Sequence, residues 1–215
     1  MAERGRPRGF DRNAALQKAM EVFWARGYDG ASMSDLTAAM GIASPSLYAA
    51  FGCKEALFRE ALALYAATES DGVWGGIEAA STAREGCVGM LEATARVFTR
   101  PDKPSGCLVV LSALHAGDLS DTARKELVRA RAGTIATLEA RLRRGQLEGD
   151  VPTGADVRAV ATYLATVQQG MSIQARDGAD RATLEAVARS VMAGWDGLVA
   201  GPARALGPGP DQAKV

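Results

Sequence analysis

Histidine is nearly absent from this chain: His115 is the only one in 215 residues. Any histidine-based dyad or relay would therefore rest on that residue alone. Cysteine is sparse as well. Cys53, Cys87 and Cys107 form no close pairs, and an odd, widely spaced set argues against a disulfide scaffold and fits a reducing cytosol. There is no excess of charge, because 25 basic residues balance 25 acidic ones. The chain as a whole thus gives no electrostatic argument for nucleic acid, and charge has to be read locally. No apolar run approaches the roughly 20 residues that span a bilayer. The basic N-terminus is not followed by the apolar segment of a secretory signal, so no membrane association and a cytoplasmic location are expected. The sequence carries no P-loop, no dinucleotide G-x-G-x-x-G, no H-E-x-x-H and no G-x-S-x-G. No catalytic residue and no cofactor are expected, and the chain reads as a binding protein rather than an enzyme.

What is present is 47% hydrophobic residues, enough for a sizeable core, arranged at helical spacing almost throughout. The most informative stretch is SMSDLTAAMGIASPSLYAAFGCK. Ser32 and Asp35 sit in the relation of a capping box, with Asp in place of the usual Glu or Gln. Leu36 and Met40 lie one turn apart, and Gly41 follows where a left-handed C-cap suits glycine. Ser44 is the expected cap of a second helix with Pro45 at its first position. Leu47 and Phe51, spaced i, i+4, should face inward. The opposite side then carries Pro45 and Ala49, flanked by Ser46 and Tyr48. It is small, polar and free of acid, as a helix entering a major groove requires. Upstream, Asp11 should cap a helix ending near Gly27, with Leu16, Met20 and Phe23 as its core stripe.

Helix, glycine turn and helix are common in all-α proteins, so spacing alone is weak. The segments AMEVFWARGYDGASMSDLTAAMGIASPSLYAAF and GCKEALFREAL resemble the N-terminal DNA-binding domain of the TetR/AcrR family of bacterial transcriptional regulators. The likeness covers about residues 11–65. It implies an all-α fold, with a three-helix helix-turn-helix domain at 11–53 followed by a larger helical-bundle domain for ligand binding and dimerisation at 54–200. Residues 1–10 would be a basic arm carrying Arg4, Arg6 and Arg8, and 201–215 a Gly- and Pro-rich tail. The arm either follows the phosphates or a minor groove, or merely solubilises. By the resemblance, Lys54 contacts a phosphate at the start of the fourth helix. The expected DNA-binding set is Ser32, Ser34, Ser44, Pro45, Ser46, Tyr48, Ala49 and Lys54. Of these, Ser32, Ser44, Tyr48 and Lys54 are assigned to phosphates, and Pro45, Ser46 and Ala49 to bases. Ala49 and Ala50 stand where the family often has larger aromatic or histidine side chains, which leaves more of the recognition to DNA shape.

The helical pattern breaks at Trp74-Gly75-Gly76 and resumes from Thr82 to about Thr99. CLVVLSALHAGD is nearly all apolar and predicts a helix buried on most sides. A long helix follows from Ser120, with Leu127, Ile135, Leu138 and Leu142 on its apolar side. The last two helices are expected over about 155–176 and 181–199. Their stripes, Val160, Leu164, Val167 and Met171 on one and Leu184, Val187, Val191 and Trp195 on the other, either pack within the subunit or form a dimer interface. The resemblance implies the second, a four-helix bundle with two helices from each chain.

A small apolar effector would sit among the central helices, and Trp74, Met90, Phe98, Leu111, His115 and Gln168 are the expected lining. His115 and Cys107 are about 12 Å apart along a helix axis, too far for direct contact. Cys87, Cys107 and His115 lack metal-ligand spacing, so no metal is expected. Cys107 at the head of its helix is either a thiol sensor or a small buried hydrophobe. The function expected is a ligand-responsive repressor that binds a palindromic double-stranded DNA operator as a homodimer. The alternative is a small-molecule or redox-sensing helical protein with little DNA affinity.

Overall fold

A computed structural model describes residues 10–112 and 119–200. The expected arm up to residue 9, the tail from 201 and His115 lie outside the described residues. Among the described residues every regular element is a helix. They run α1 (Arg12–Gly30), α2 (Met33–Met40), α3 (Ser44–Phe51), α4 (Lys54–Thr68), α5 (Asp71–Trp74), α6 (Ala83–Phe98), α7 (Leu108–Leu111), α8 (Asp121–Glu148), α9 (Val157–Arg176), α10 (Arg181–Ala193) and α11 (Trp195–Val199).

Local chemistry sets most of these boundaries. Asp11 accepts hydrogen bonds from the N–H groups of Asn13 and Ala14 and so starts α1. Gly27, at φ +73°, interrupts α1 near the expected end, although helical turns continue to Gly30. The capping box at Ser32 and Asp35 closes in both directions, and Gly41 ends α2 in the left-handed region at φ +66°. Ser44 is not the cap of α3. Ala43 takes that position without a side-chain bond, Ser44 is already helical, and Pro45 fills the first turn. The last expected helix is two pieces, α10 and α11, parted at Gly194. The apolar run after Cys107 forms only the single turn of α7 before residues 113–118, which lie outside the described set.

Two apolar clusters result. One gathers α1 to α4 around Phe23, Trp24, Leu36, Leu47, Leu57 and Phe58, and extends to Leu108, Leu119, Ala123 and Leu127. Phe58 is fully buried and meets both Phe23 and Tyr28 edge-on with centroids 5.1 Å apart. The other joins α5, α6 and α8 to α11 through Leu91, Phe98, Leu138, Leu164 and Leu184. The N-terminal helices are tied to the rest at several points. Ser120, the cap of α8, donates to Glu55, and Arg59 of α4 chelates Glu126 of α8. Arg176 of α9 donates to the carbonyls of Trp24 and Ala25, and the Trp24 indole donates to Gly106. Gly106 is at φ +78°, and a Cβ there would stand 2.6 Å from the Ser172 carbonyl, so only glycine fits.

The capping box also makes a pH signature. Hydrogen bonds from the Ser32 hydroxyl and backbone, then Arg26, hold the Asp35 carboxyl below the usual carboxylate range. A carboxyl depressed in the folded state adds stability above its unfolded value of about 3.9, and that contribution is lost as pH falls through the folded value. Thermal melts from pH 7 down to about pH 2 should therefore show a smaller acid-induced drop for Asp35→Asn than for the parent chain, with a lower melting temperature at neutral pH. An identical drop in both would remove Asp35 from the acid response.

Candidate nucleic-acid interface and central cavity

The helix α3 is held from beneath by Leu47, fully buried, and Phe51, and α2 by Leu36. This fixes the outward side of α3, where Ser44, Pro45, Tyr48 and Ala49 are exposed and Ser46 is half-buried. Tyr48 retains 50% exposure, high for an aromatic residue with nothing around it to cover. Ser32 and Ser34 are exposed at the start of α2. Lys54 opens α4, where the first turn presents N–H groups; its ammonium lies 4.4 Å above the Tyr28 ring. The sequence-derived set Ser32, Ser34, Ser44, Pro45, Ser46, Tyr48, Ala49 and Lys54 is therefore at the surface or partly so, with only Ser46 and Lys54 half-covered.

Charge around this ridge is frugal. Residues 10–53 hold Arg12, Lys18 and Arg26 against Asp11, Glu21, Asp29 and Asp35. All three cations are engaged: Arg12 with Glu60 at 2.8 Å, Lys18 with Glu21 at 3.7 Å and Arg26 with Asp35 at 2.5 Å. Arg12 also lies over the Phe51 ring at 4.2 Å. Among the described residues Lys54 makes no ion pair, so it is the cation on this face that a phosphate could recruit without breaking one.

The helices α4, α5, α6, α8 and α9 surround a cavity of about 260 Å³. Trp74, Phe98 and Gln168 of the expected lining border it. Met90 does not; it is 2% exposed and spent in the core of α6. Leu111 borders a different depression, beside Arg176 and Trp24. Residues not anticipated also line the cavity, among them Tyr65, Glu69, Val73, Cys107, Arg131 and Thr134. Arg131 had a visible signal, for it stands one turn after Leu127 and seven residues before Leu138, on the apolar stripe of α8. Cys107 accepts a hydrogen bond from the Tyr65 hydroxyl, yet burial pushes its thiol up, as burial pushes Cys87 up to about 12. For Cys107, desolvation thus works against the thiolate that a helix start would favour. No cluster of three metal-ligating side chains occurs among the described residues. No described helix is long and apolar enough to cross a membrane.

The anticipated dimer stripe is mostly turned inward. Val160, Leu164, Met171, Leu184, Val191 and Trp195 are each at most 8% exposed and belong to the chain's own core. Val167 and Val187 remain partly accessible. What faces outward on α9 is Ala159, Thr162, Tyr163 and Thr166, and on α10 Ala182, Ala186, Ser190 and Ala193. Charge on this outward surface is limited to Arg158 on α9 and to Arg181, Glu185 and Arg189 on α10, where Arg181 and Glu185 pair at 2.6 Å. The Thr162 and Thr166 hydroxyls donate to the carbonyls of Arg158 and Thr162, 2.8 Å each, and so need no water.

Comparison with known proteins matches both halves. Residues 15–61 fit the family described as bacterial regulatory proteins of the tetR family, and residues 88–191 the tetracyclin repressor-like C-terminal domain. The chain is 36% identical over 204 residues to the HTH-type transcriptional repressor ComR of Escherichia coli K12, covering 91% of this chain and 94% of that one. It is 32% identical over 174 residues to the HTH-type transcriptional repressor BdcR of the same organism, covering 81% and 83%. Among solved structures, a cysteine mutant of the TetR family transcriptional regulator CifR, complexed with 26-base-pair operator DNA, superposes with a TM-score of 0.85. That protein is 46% identical, and the match covers 88% of this chain and all of that one.

Proposed function

This chain belongs to the tetR family of bacterial regulatory proteins, and we propose that it is a repressor that binds a two-fold operator as a homodimer and releases it when a small molecule fills the central cavity. It is a helix-turn-helix transcriptional regulator, and its relatives ComR and BdcR are named as repressors. The observation that carries the reading is the ridge of α3: an acid-free, small-residue surface with one exposed tyrosine, seated on a buried Leu47–Phe51 stripe and flanked by Lys54 at the start of α4. The operator complex described for CifR supports the same mode of binding. Tyr48 and Lys54 would hold phosphates, as would the N–H groups at the starts of α2 and α4. Pro45, Ser46 and Ala49 would approach the bases, with short side chains that favour DNA shape over many direct contacts.

The pairing surface in this reading is the outward side of α9 and α10, not the buried stripes. A 20-residue helix whose outward side carries threonine, tyrosine and alanine but almost no charge is poorly suited to water and well suited to close helix approach. Gel shift of the full chain on its flanking intergenic DNA tests the function, with Thr166→Glu and Ala186→Glu testing the pairing. The parent chain should give a retarded band and elute as a dimer in light scattering. The two variants together should elute as monomers and lose about 10²-fold or more in operator affinity, because the second head no longer binds intramolecularly. A dimer that survives both charges would move the interface elsewhere, and absence of any shift would remove the repressor reading.

A further inference from the structure

The central cavity is bordered by a buried guanidinium nitrogen that no described residue answers and by one nearly buried amide. Gln168 is 4% exposed, lines the cavity and has no side-chain partner among the described residues. Arg131 lines it too, with its Nη1 atom buried and unbonded. An unpaired guanidinium nitrogen out of water is costly unless something supplies the missing acceptor. None of the described residues supplies it. The one carboxylate among the described lining residues is Glu69, and Arg100 at 2.7 Å and Lys103 at 3.9 Å already claim it. Val73, Trp74 and Phe98 supply apolar surface to the same cavity.

We propose that the cavity takes a small monocarboxylic acid, its carboxylate on Arg131 with Gln168 donating beside it and its apolar body against Val73, Trp74 and Phe98. A guanidinium fork matches a carboxylate in a bidentate fashion, and an amide N–H₂ adds a neutral donor. The volume of about 260 Å³ lies below the ~300–1,000 Å³ of sites for drug-sized ligands, which limits the acid to a short aryl or acyl chain. Burial of Arg131 strengthens the pairing, since the ammonium or guanidinium partner of an anion counts for more where water is thin. The sequence-level expectation of a purely apolar effector is thereby narrowed to an amphipathic anion. This inference rests on reading the cavity as the effector site.

Matched probes separate charge from shape. Phenylacetate and hexanoate would be titrated against phenylacetamide and hexanamide, with the full-length dimer followed by Trp74 fluorescence and thermal shift. The acids should bind and the amides should bind at least about tenfold more weakly. Arg131→Gln should erase the preference for the acids, while circular dichroism and the melting curve report that the fold persists; Arg131→Lys should restore part of it. Equal binding of acid and amide, or binding of neither, overturns the proposal. Operator affinity is measured separately by gel shift: an acid that binds without releasing DNA would leave the site standing and sink its effector role, whereas a chain with no operator affinity would fail the repressor reading and leave the acid titration untouched.

Discussion

Exchanging Tyr48 and Lys54 together for alanine is expected to abolish the operator shift while leaving the fold intact. The expectation follows from how little else on the reading head can hold phosphate. Arg12, Lys18 and Arg26 are each committed to a carboxylate, so none is free to neutralise DNA without first losing its partner. Lys54 projects from the first turn of α4, where its charge adds to the unsatisfied N–H groups. Removing it costs only a contact with the Tyr28 ring, about 0.5–1 kcal/mol at an exposed site. Tyr48 is half exposed, and its side chain makes no hydrogen bond or ring contact among the described residues. The two single variants should differ in kind. Lys54→Ala lowers the slope of log affinity against log salt by about 2, because each of the two heads releases one counterion fewer. Tyr48→Ala weakens binding at every salt concentration with the slope preserved. A double variant that still shifts the operator at parent affinity would show that α3 is not the element that meets the groove.

Phe58→Ala is expected to produce the largest loss of stability of any single truncation in the head, about 3–5 kcal/mol. Phe58 has no exposed surface and is the ring on which Phe23 and Tyr28 both rest at 5.1 Å. Its loss leaves a void bounded by helices α1 and α4 whose spacing is also fixed by the Arg12–Glu60 pair, so collapse around the hole is restricted. Against a total of about 5–15 kcal/mol this is a large fraction. Urea titration followed by fluorescence measures it, and Phe58→Leu, which keeps most of the volume, should cost about 1.5 kcal/mol or less. A loss below about 1 kcal/mol for the alanine variant would mean that the N-terminal cluster opens and closes without cooperating with α4.

The parts of this architecture that could be read from sequence are those decided within one helical turn. Ser32 with Asp35 and Gly41 after Met40 are local bargains between a side chain and nearby backbone, and both form as their spacing predicts; Pro45 stays in the first turn of α3 but as its second residue. The all-helical class was legible for the same reason, with resemblance in the head making it specific. Ser44 shows the limit even of local reading, since Ala43 ends up at the cap and the serine moves inside by one residue. Long-range placement was harder. An apolar stripe on α9 or α10 says only that something covers it, and here the subunit's own α6, α8 and α11 do so, which leaves the blander side outward. The cavity was half legible: Trp74, Phe98 and Gln168 border it, but Met90 faces the core, and the position of Arg131 on the apolar stripe of α8 was a signal left unused. Periodicity tells which residues share a side and is silent about which neighbour that side meets.

The helix α4 has one end in each of the two regions described above. Lys54 stands at its first residue, and Tyr65, near its last, hydrogen-bonds Cys107 at the cavity wall. Fifteen residues of unbroken helix make a rod about 22 Å long with no glycine or proline to absorb a bend. In the repressor reading proposed above, a guest that crowds Tyr65 would tilt the rod as a unit, and over its length a few degrees move the far tip by about an ångström, the scale on which a lysine–phosphate contact is lost.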